Sequence, residues 1–267
     1  MSILKNTIYT RRTIILSQFR CCLKSILLTN FSQHHHKTRC KEMLSPSLSF
    51  ANTQIRDICI RNGIKSLMHF TRTDNLSSIL SNGLLSRNEL ARRKLPVVVN
   101  DKLRLDRQMD AICLSISFPN YQMFYRYRRS IKSTWVVLEL DPQIIWNNDC
   151  AFCLTNAATT AMRNIPLAQR KRPEVLKNLF DDYVDNADII TRNNLFLPRN
   201  YPTNPQAEVL AFKPILPHQI QAIYVERRSE AFILHDEITS NEYRKLLSVN
   251  SFYFHPRDDF GTWQALR

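Results

Sequence analysis

The chain has 267 residues, is 44% hydrophobic and 22% charged, and carries a formal net charge of +14. That is enough apolar material for one sizeable core. Its three glycines, against a usual share of about 7%, leave no GxGxxG fingerprint and no GxxxxGK loop, which argues against a Rossmann oxidoreductase or a P-loop NTPase.

Charge is unevenly spread. Residues 1–50 hold eight Lys/Arg and a single acid, Glu42, so half of the net charge sits in a stretch unlike the rest. This segment has short apolar bursts but no run near the ~18–20 residues that a membrane span needs. Its composition imitates an organellar transit peptide. The plainer reading, preferred here, is a disordered basic extension or a start codon assigned too early, with Met43 or Met68 as later starts. The body, expected to form one domain over 55–267, remains basic, which suits a polyanionic partner.

Seven scattered cysteines form no dense framework and point to a reducing, cytoplasmic setting. Cys150-Ala-Phe-Cys153 lacks a second ligand pair, and the His34-His35-His36 run with Cys40 is equally isolated, so no metal is expected.

In chain order, Ser66–Phe70 reads as a strand. Asp74 is placed to cap a helix through Leu80, which Asn82-Gly83 ends. Ser86 and Glu89 have capping-box spacing, and a loop runs from Asn100 to Asp110. Ala111–Phe118 reads as a buried strand, Tyr121–Arg129 as an aromatic, basic helix, and Trp135–Leu140 as a strand closed by Asp141-Pro142. Residues 162–207 are polar and proline-punctuated, with one helix near Pro173–Asp181 and a loop over 192–206, long enough to suggest function. Strands at Ala207–Phe212 and Gln221–Glu226 and a helix near Ser240–Leu247 follow. The expected fold class is α+β.

Four features can carry chemistry. His69 and Thr71, two apart on an extended segment, face one side and can hydrogen-bond one ligand. Arg104, with Arg107 close by, lies in a polar loop and could fork onto a pyrophosphate. Ser115 and Ser117 interrupt an apolar strand and need partners once buried. Glu208 stands at the mouth of an apolar strand directly after the long loop, where a carboxylate can stabilise developing positive charge or act as a base.

In this order the segments resemble the DarT-type ADP-ribosyltransferases. Leu67-Met68-His69-Phe70-Thr71 with Asn75-Leu76-Ser77-Ser78-Ile79-Leu80 and Gly83-Leu84-Leu85 is similar to their opening strand, helix and turn. Phe152-Cys153-Leu154-Thr155-Asn156-Ala157-Ala158 is similar to another of their segments, and Gln206-Ala207-Glu208-Val209-Leu210 to their catalytic-glutamate strand. The resemblance implies a core of two small packed β-sheets with peripheral helices, NAD as co-substrate, and transfer of ADP-ribose to a base of single-stranded DNA. It also implies a toxin whose partner is a macrodomain antitoxin. It casts Glu208 and Arg104 as catalytic, and His69, Thr71, Arg104, Arg107 and Ser115 as NAD-binding. DNA is expected to meet Arg126, Arg128 and Arg129 on the basic helix and Arg192, Arg199 and Tyr201 on the long loop. Two other readings stay open: a non-catalytic basic nucleic-acid-binding protein of the same fold, and a transferase acting on RNA or protein.

Overall fold

The computed structural model describes residues 49–100, 104–185 and 188–265; the basic extension, the histidine run and Cys40 lie outside them. The strands are β1 (Leu67–Arg72), β2 (Ile112–Ile116), β3 (Trp135–Leu140), β4 (Cys150–Cys153), β5 (Tyr183–Asp185), β6 (Asp188–Ile190), β7 (Glu208–Ala211), β8 (Ile220–Val225) and β9 (Leu247–Val249). The helices are α1 (Phe50–Arg61), α2 (Leu76–Asn82), α3 (Arg87–Arg92), α4 (Tyr121–Ser130), α5 (Ile144–Asn147), α6 (Thr160–Arg163), α7 (Leu167–Arg170), α8 (Pro173–Asn178), α9 (Arg228–Glu237), α10 (Asn241–Arg244) and α11 (Phe260–Ala265). The class is α+β.

Seven strands lie in the order β4-β7-β2-β1-β3-β8-β9, and β5-β6 form a separate hairpin. The large sheet has two halves. β1 pairs with β3 along its whole length, yet with β2 only at Leu67–Ile116 and Met68–Ser115. Past Met68 the two strands part, so the expected pair of small sheets is one sheet split down its middle. His69 Nδ1 meets the Cys113 carbonyl at 2.9 Å, where a ladder bond would otherwise lie. The opening exposes backbone that a closed ladder would have used up.

Apolar residues fill both faces. Leu138, Val209, Phe152 and Ile223 are fully buried in the main core, and Phe124, Trp135 and Val137 in a second cluster under α4. α1 begins ahead of residue 55, capped by Ser49 Oγ, and packs on α5 and α8, burying Ile55, Ile58 and Cys59 in the main core. A chain starting at Met68 would lack this helix.

Local signals held where they acted through the backbone. Gly83 ends α2 at φ 85°, and a Cβ there would meet the Ile215 carbonyl oxygen at 2.4 Å, so only glycine fits. Ser86 caps α3, but Glu89 turns to Arg92 and Arg93 instead of completing the box. Asp74 caps nothing; its carboxylate accepts from Ser133 Oγ. The helix expected near 240–247 is only one turn, while α9 precedes it unannounced. Its Phe232 and Ile233 point to solvent and only Leu234 is buried, which blurs the amphipathic period.

Candidate active site

The split between β1 and β2 opens into a cavity of about 210 Å³. His69 and Thr71 line it from β1, Cys113 and Ser115 from β2, Asn120 from the start of α4, Asn156 and Ala157 from the turn after β4, and Glu208 from β7. The segment 96–100 closes one side. Asn75 ties it down: its Nδ2 donates to the Val98 carbonyl and to Thr71 Oγ1, and its Oδ1 accepts from the Val98 amide. Arg72 adds bonds to Asn100 Oδ1 and the Val99 carbonyl.

Glu208 is 4% exposed and opens β7, paired across the ladder with Cys153. Three donors converge on its carboxylate. Asn120 Nδ2 and Asn156 Nδ2 reach Oε1 at 3.4 and 3.3 Å, and the Ala157 amide reaches Oε2 at 3.0 Å. Burial pushes its pKa up to about 7, against the pull of the Ala157 amide, Arg104 and Asn120; Asp106 adds to the rise. A carboxyl so placed changes charge near neutral pH, as a group that handles a proton and a developing cation requires.

His69 is held neutral by burial, with Arg104 acting in the same direction. A carbonyl can only accept, so Nδ1 carries the proton toward Cys113 and Nε2 is left as an acceptor. Ser115 is already engaged, its Oγ accepting the Asn120 amide. It shapes the site by fixing the asparagine that holds Glu208.

The two arginines of the 104–110 loop part company. Arg104 lines the cavity, with its guanidinium donating to the Gln108 and Ala111 carbonyls and to Cys113 Sγ, and paired with Asp106 at 3.1 Å. It fastens the loop to β2, so a fork on a diphosphate would have to displace these contacts. Arg107 is exposed and does not line the cavity.

The six residues expected to meet DNA also divide. Arg126, Arg129 and Arg199 are exposed. Arg128 is instead a stitch: it pairs with Glu226, donates to the Phe254 carbonyl at 2.7 Å, and lies over the Phe124 and Phe254 rings. Arg192 likewise donates to Thr203 Oγ1 and to the Pro198 and Arg199 carbonyls, bracing the long loop from within. Tyr201 packs on Phe118, with Arg257 over its ring. Arg128 and Arg192, expected to meet DNA, are thus engaged by tertiary partners.

Sequence reasoning missed three parts of the site. Asn120 carried no reading in the sequence; it caps α4, its Oδ1 accepting the Met123 amide at 3.1 Å. Asn156 and the Ala157 amide lay in a segment noted for its likeness, without a role. The clamp on the long loop went unread: buried Arg257 pairs with Asp259 and donates to the Pro202 and Thr203 carbonyls, while Trp263 Nε1 donates to Asp259. Cys150 and Cys153 belong to opposite faces of β4, in separate clusters, so they cannot grip one ion. Among the described residues no group of three His, Cys, Asp or Glu could hold a metal, and no helix is long and apolar enough to cross a membrane.

The family model for DarT, described as an ssDNA thymidine ADP-ribosyltransferase, matches residues 68–255. The chain belongs to this family. Its fold is similar to that of Thermosipho africanus DarTG, solved with ADP-ribose, at 20% identity and a TM-score of 0.50, covering 71% of this chain and 51% of that one. The chain thus spans about half the length of the Thermosipho protein. It is also similar to Thermus sp. 2.9 DarT, solved with NAD+ (16% identity, TM-score 0.45, covering 72% and 98%) and with ADP-ribosylated ssDNA (18%, 0.44, 72% and 97%). No curated protein matches by sequence.

Proposed function

We propose that this chain transfers ADP-ribose from NAD+ to a nucleobase of single-stranded DNA and releases nicotinamide. The observation that carries this reading is Glu208, buried in the cleft of a split sheet, held by three donors and sharing one cavity with His69 and Thr71. Family membership supports the reaction class.

NAD+ supplies a ribose carbon that gains positive charge as its bond to nicotinamide breaks. Glu208 as carboxylate stabilises that charge, and Asn120, Asn156 and the Ala157 amide keep it aimed without reorganisation. With a pKa near 7 it can also take the proton that a base nitrogen gives up on attack. His69 Nε2 accepts from a donor on the nicotinamide amide or the ribose. Thr71 lines the same side, while Ser115 acts by fixing Asn120. Arg104 supplies positive charge to the cavity and holds the loop beside it. Arg107, outside the cavity, has no direct role.

Single-stranded DNA is read through exposed cations and aromatic faces. Arg126 and Arg129 on α4 and Arg199 on the loop supply charge. Phe196, left-handed at φ 50° and 93% exposed, offers one stacking surface, and half-exposed Phe252, which like Tyr201 packs on Phe118, offers another. The transferase unit is residues 49–267, with the basic segment before it dispensable for chemistry. The cell biology that fits is a cytoplasmic toxin countered by a macrodomain hydrolase. Incubation with labelled NAD+ and, separately, ssDNA, RNA and protein tests the reading. Label on ssDNA, with thymidine-containing oligonucleotides first, is expected; label confined to RNA or protein, or none at all, overturns it.

A further inference from the structure

A second cavity, of about 500 Å³, lies at the open edge of β4 beneath α6, α7 and α8, and shares no residue with the one around Glu208. Phe152, Met162, Ile165 and Val175 give it apolar walls. Arg170 lines it and is only 4% exposed. Buried arginines are ordinarily paired with a carboxylate. Here, among the described residues, the guanidinium has one hydrogen-bond partner, Cys153 Sγ at 3.5 Å, and Nε has none. Burial pushes the Cys153 thiol up to about 12, so it stays neutral and supplies no countercharge. The neighbouring cations are spoken for: Lys171 pairs with Asp149, and Arg172 faces Glu174 across the rim.

A guanidinium cannot shed its proton to escape burial. Leaving it desolvated and uncompensated costs several kcal/mol, and the cost is relieved by an anion entering from solvent. Its planar fork matches two oxygens of one phosphate, and the exposed amides of Gln169 and Asn178 stand at the mouth to take others. Glu174, also at the rim, disfavours a ligand carrying extended negative charge past the mouth. We propose that this cavity is a second anion site that takes a single phosphate group, with Arg170 as its buried fork. It stands on this geometry alone and does not depend on the transfer reaction. The phosphate could be free or terminal on a nucleotide, or it could belong to a nucleic-acid backbone.

The test titrates inorganic phosphate against the full chain, followed by phosphorus NMR line broadening and by melting temperature. Wild type is expected to broaden the signal and to melt higher with phosphate. In Arg170→Met the affinity should fall by about tenfold or more, the loss of a charge-assisted pair. Should that variant fold poorly, the exposed pair Gln169→Glu and Asn178→Asp, which places negative charge at the mouth without touching the core, should abolish the effect as well. Titrations with thymidine monophosphate and with an ssDNA oligonucleotide separate the sources. A loss in Arg170→Met seen only for the oligonucleotide assigns a backbone phosphate, and a loss seen for phosphate and the mononucleotide assigns a free or terminal one. No response of wild type to any of the three probes, or a response as strong in Arg170→Met and in the rim variant as in wild type, overturns the proposal.

Discussion

Glu208 joins two properties that usually exclude each other: it is buried, yet it retains an acid–base equilibrium near neutrality. Its pKa is raised, so the folded chain holds this proton more tightly than the unfolded chain does. Unfolding therefore releases it between about pH 4.5 and 7, and stability falls as pH rises through that window. The contribution is on the order of 3 kcal/mol. Glu208→Gln should remove this slope, and chemical denaturation at pH 5 and pH 8 reads it directly. The same variant should lose transfer by about a hundredfold or more, the scale of losing a preorganised charge at the reacting centre. Wild-type turnover should climb through pH 7 and then level. Retained activity, or an unchanged stability slope, would contradict the assignment. The two loop arginines separate at this scale too. Arg104→Ala should raise the NAD+ requirement and lower the melting temperature, because it frees the loop from β2. Arg107→Ala should change neither, and isothermal titration with NAD+ distinguishes them.

At the scale of elements, the long loop is set by a segment far along the chain. Arg257 and Asp259, both about 5% exposed or less, brace the Pro202 and Thr203 carbonyls just ahead of Glu208. Breaking a buried pair by removing one partner costs about 3–5 kcal/mol, so Asp259→Asn should melt far lower than wild type. Limited proteolysis should then cut first within 192–206. The α4 helix offers a contrast between neighbours. Arg126→Ala with Arg129→Ala should weaken ssDNA binding and flatten its salt dependence by about one unit of slope for each phosphate no longer neutralised, with little change in melting. Arg128→Ala should instead destabilise, since it unstitches α4 from Glu226 and Phe254. Phe196→Ala should weaken oligonucleotide binding by about 1–3 kcal/mol, the loss of one stacked base. Fluorescence anisotropy across a salt series checks these together.

Over the whole molecule, one split sheet does the work of two. The β1–β3–β8 half carries His69 and Thr71, the β4–β7–β2 half carries Glu208 and Ser115, and the short β1–β2 ladder hinges them. α1 completes the core from the N-terminal side and is capped at Ser49. Removing residues 1–48 should therefore leave melting temperature and transfer nearly unchanged, whereas removal through Arg61 should unfold the domain. Circular dichroism melts and the NAD+ assay on both truncations decide the boundary.

What rests on short-range chemistry could be read along the chain. Strand periods, the Ser86 cap, the glycine that stops α2, and the order of segments around His69, Asn156 and Glu208 all act over a few residues, so the class and the central glutamate were legible. Which of the many arginines face solvent was settled by the packing of distant segments. A guanidinium's role depends on what faces it, and Glu226 lies 98 positions from Arg128 and Thr203 eleven from Arg192. The same holds for Asn120, which reaches Glu208 across 88 positions, and for Arg257, which clamps a loop 54 positions upstream. Hydrogen bonds between distant residues leave no periodicity in the chain. They exist only once the sheet has brought both ends to one place.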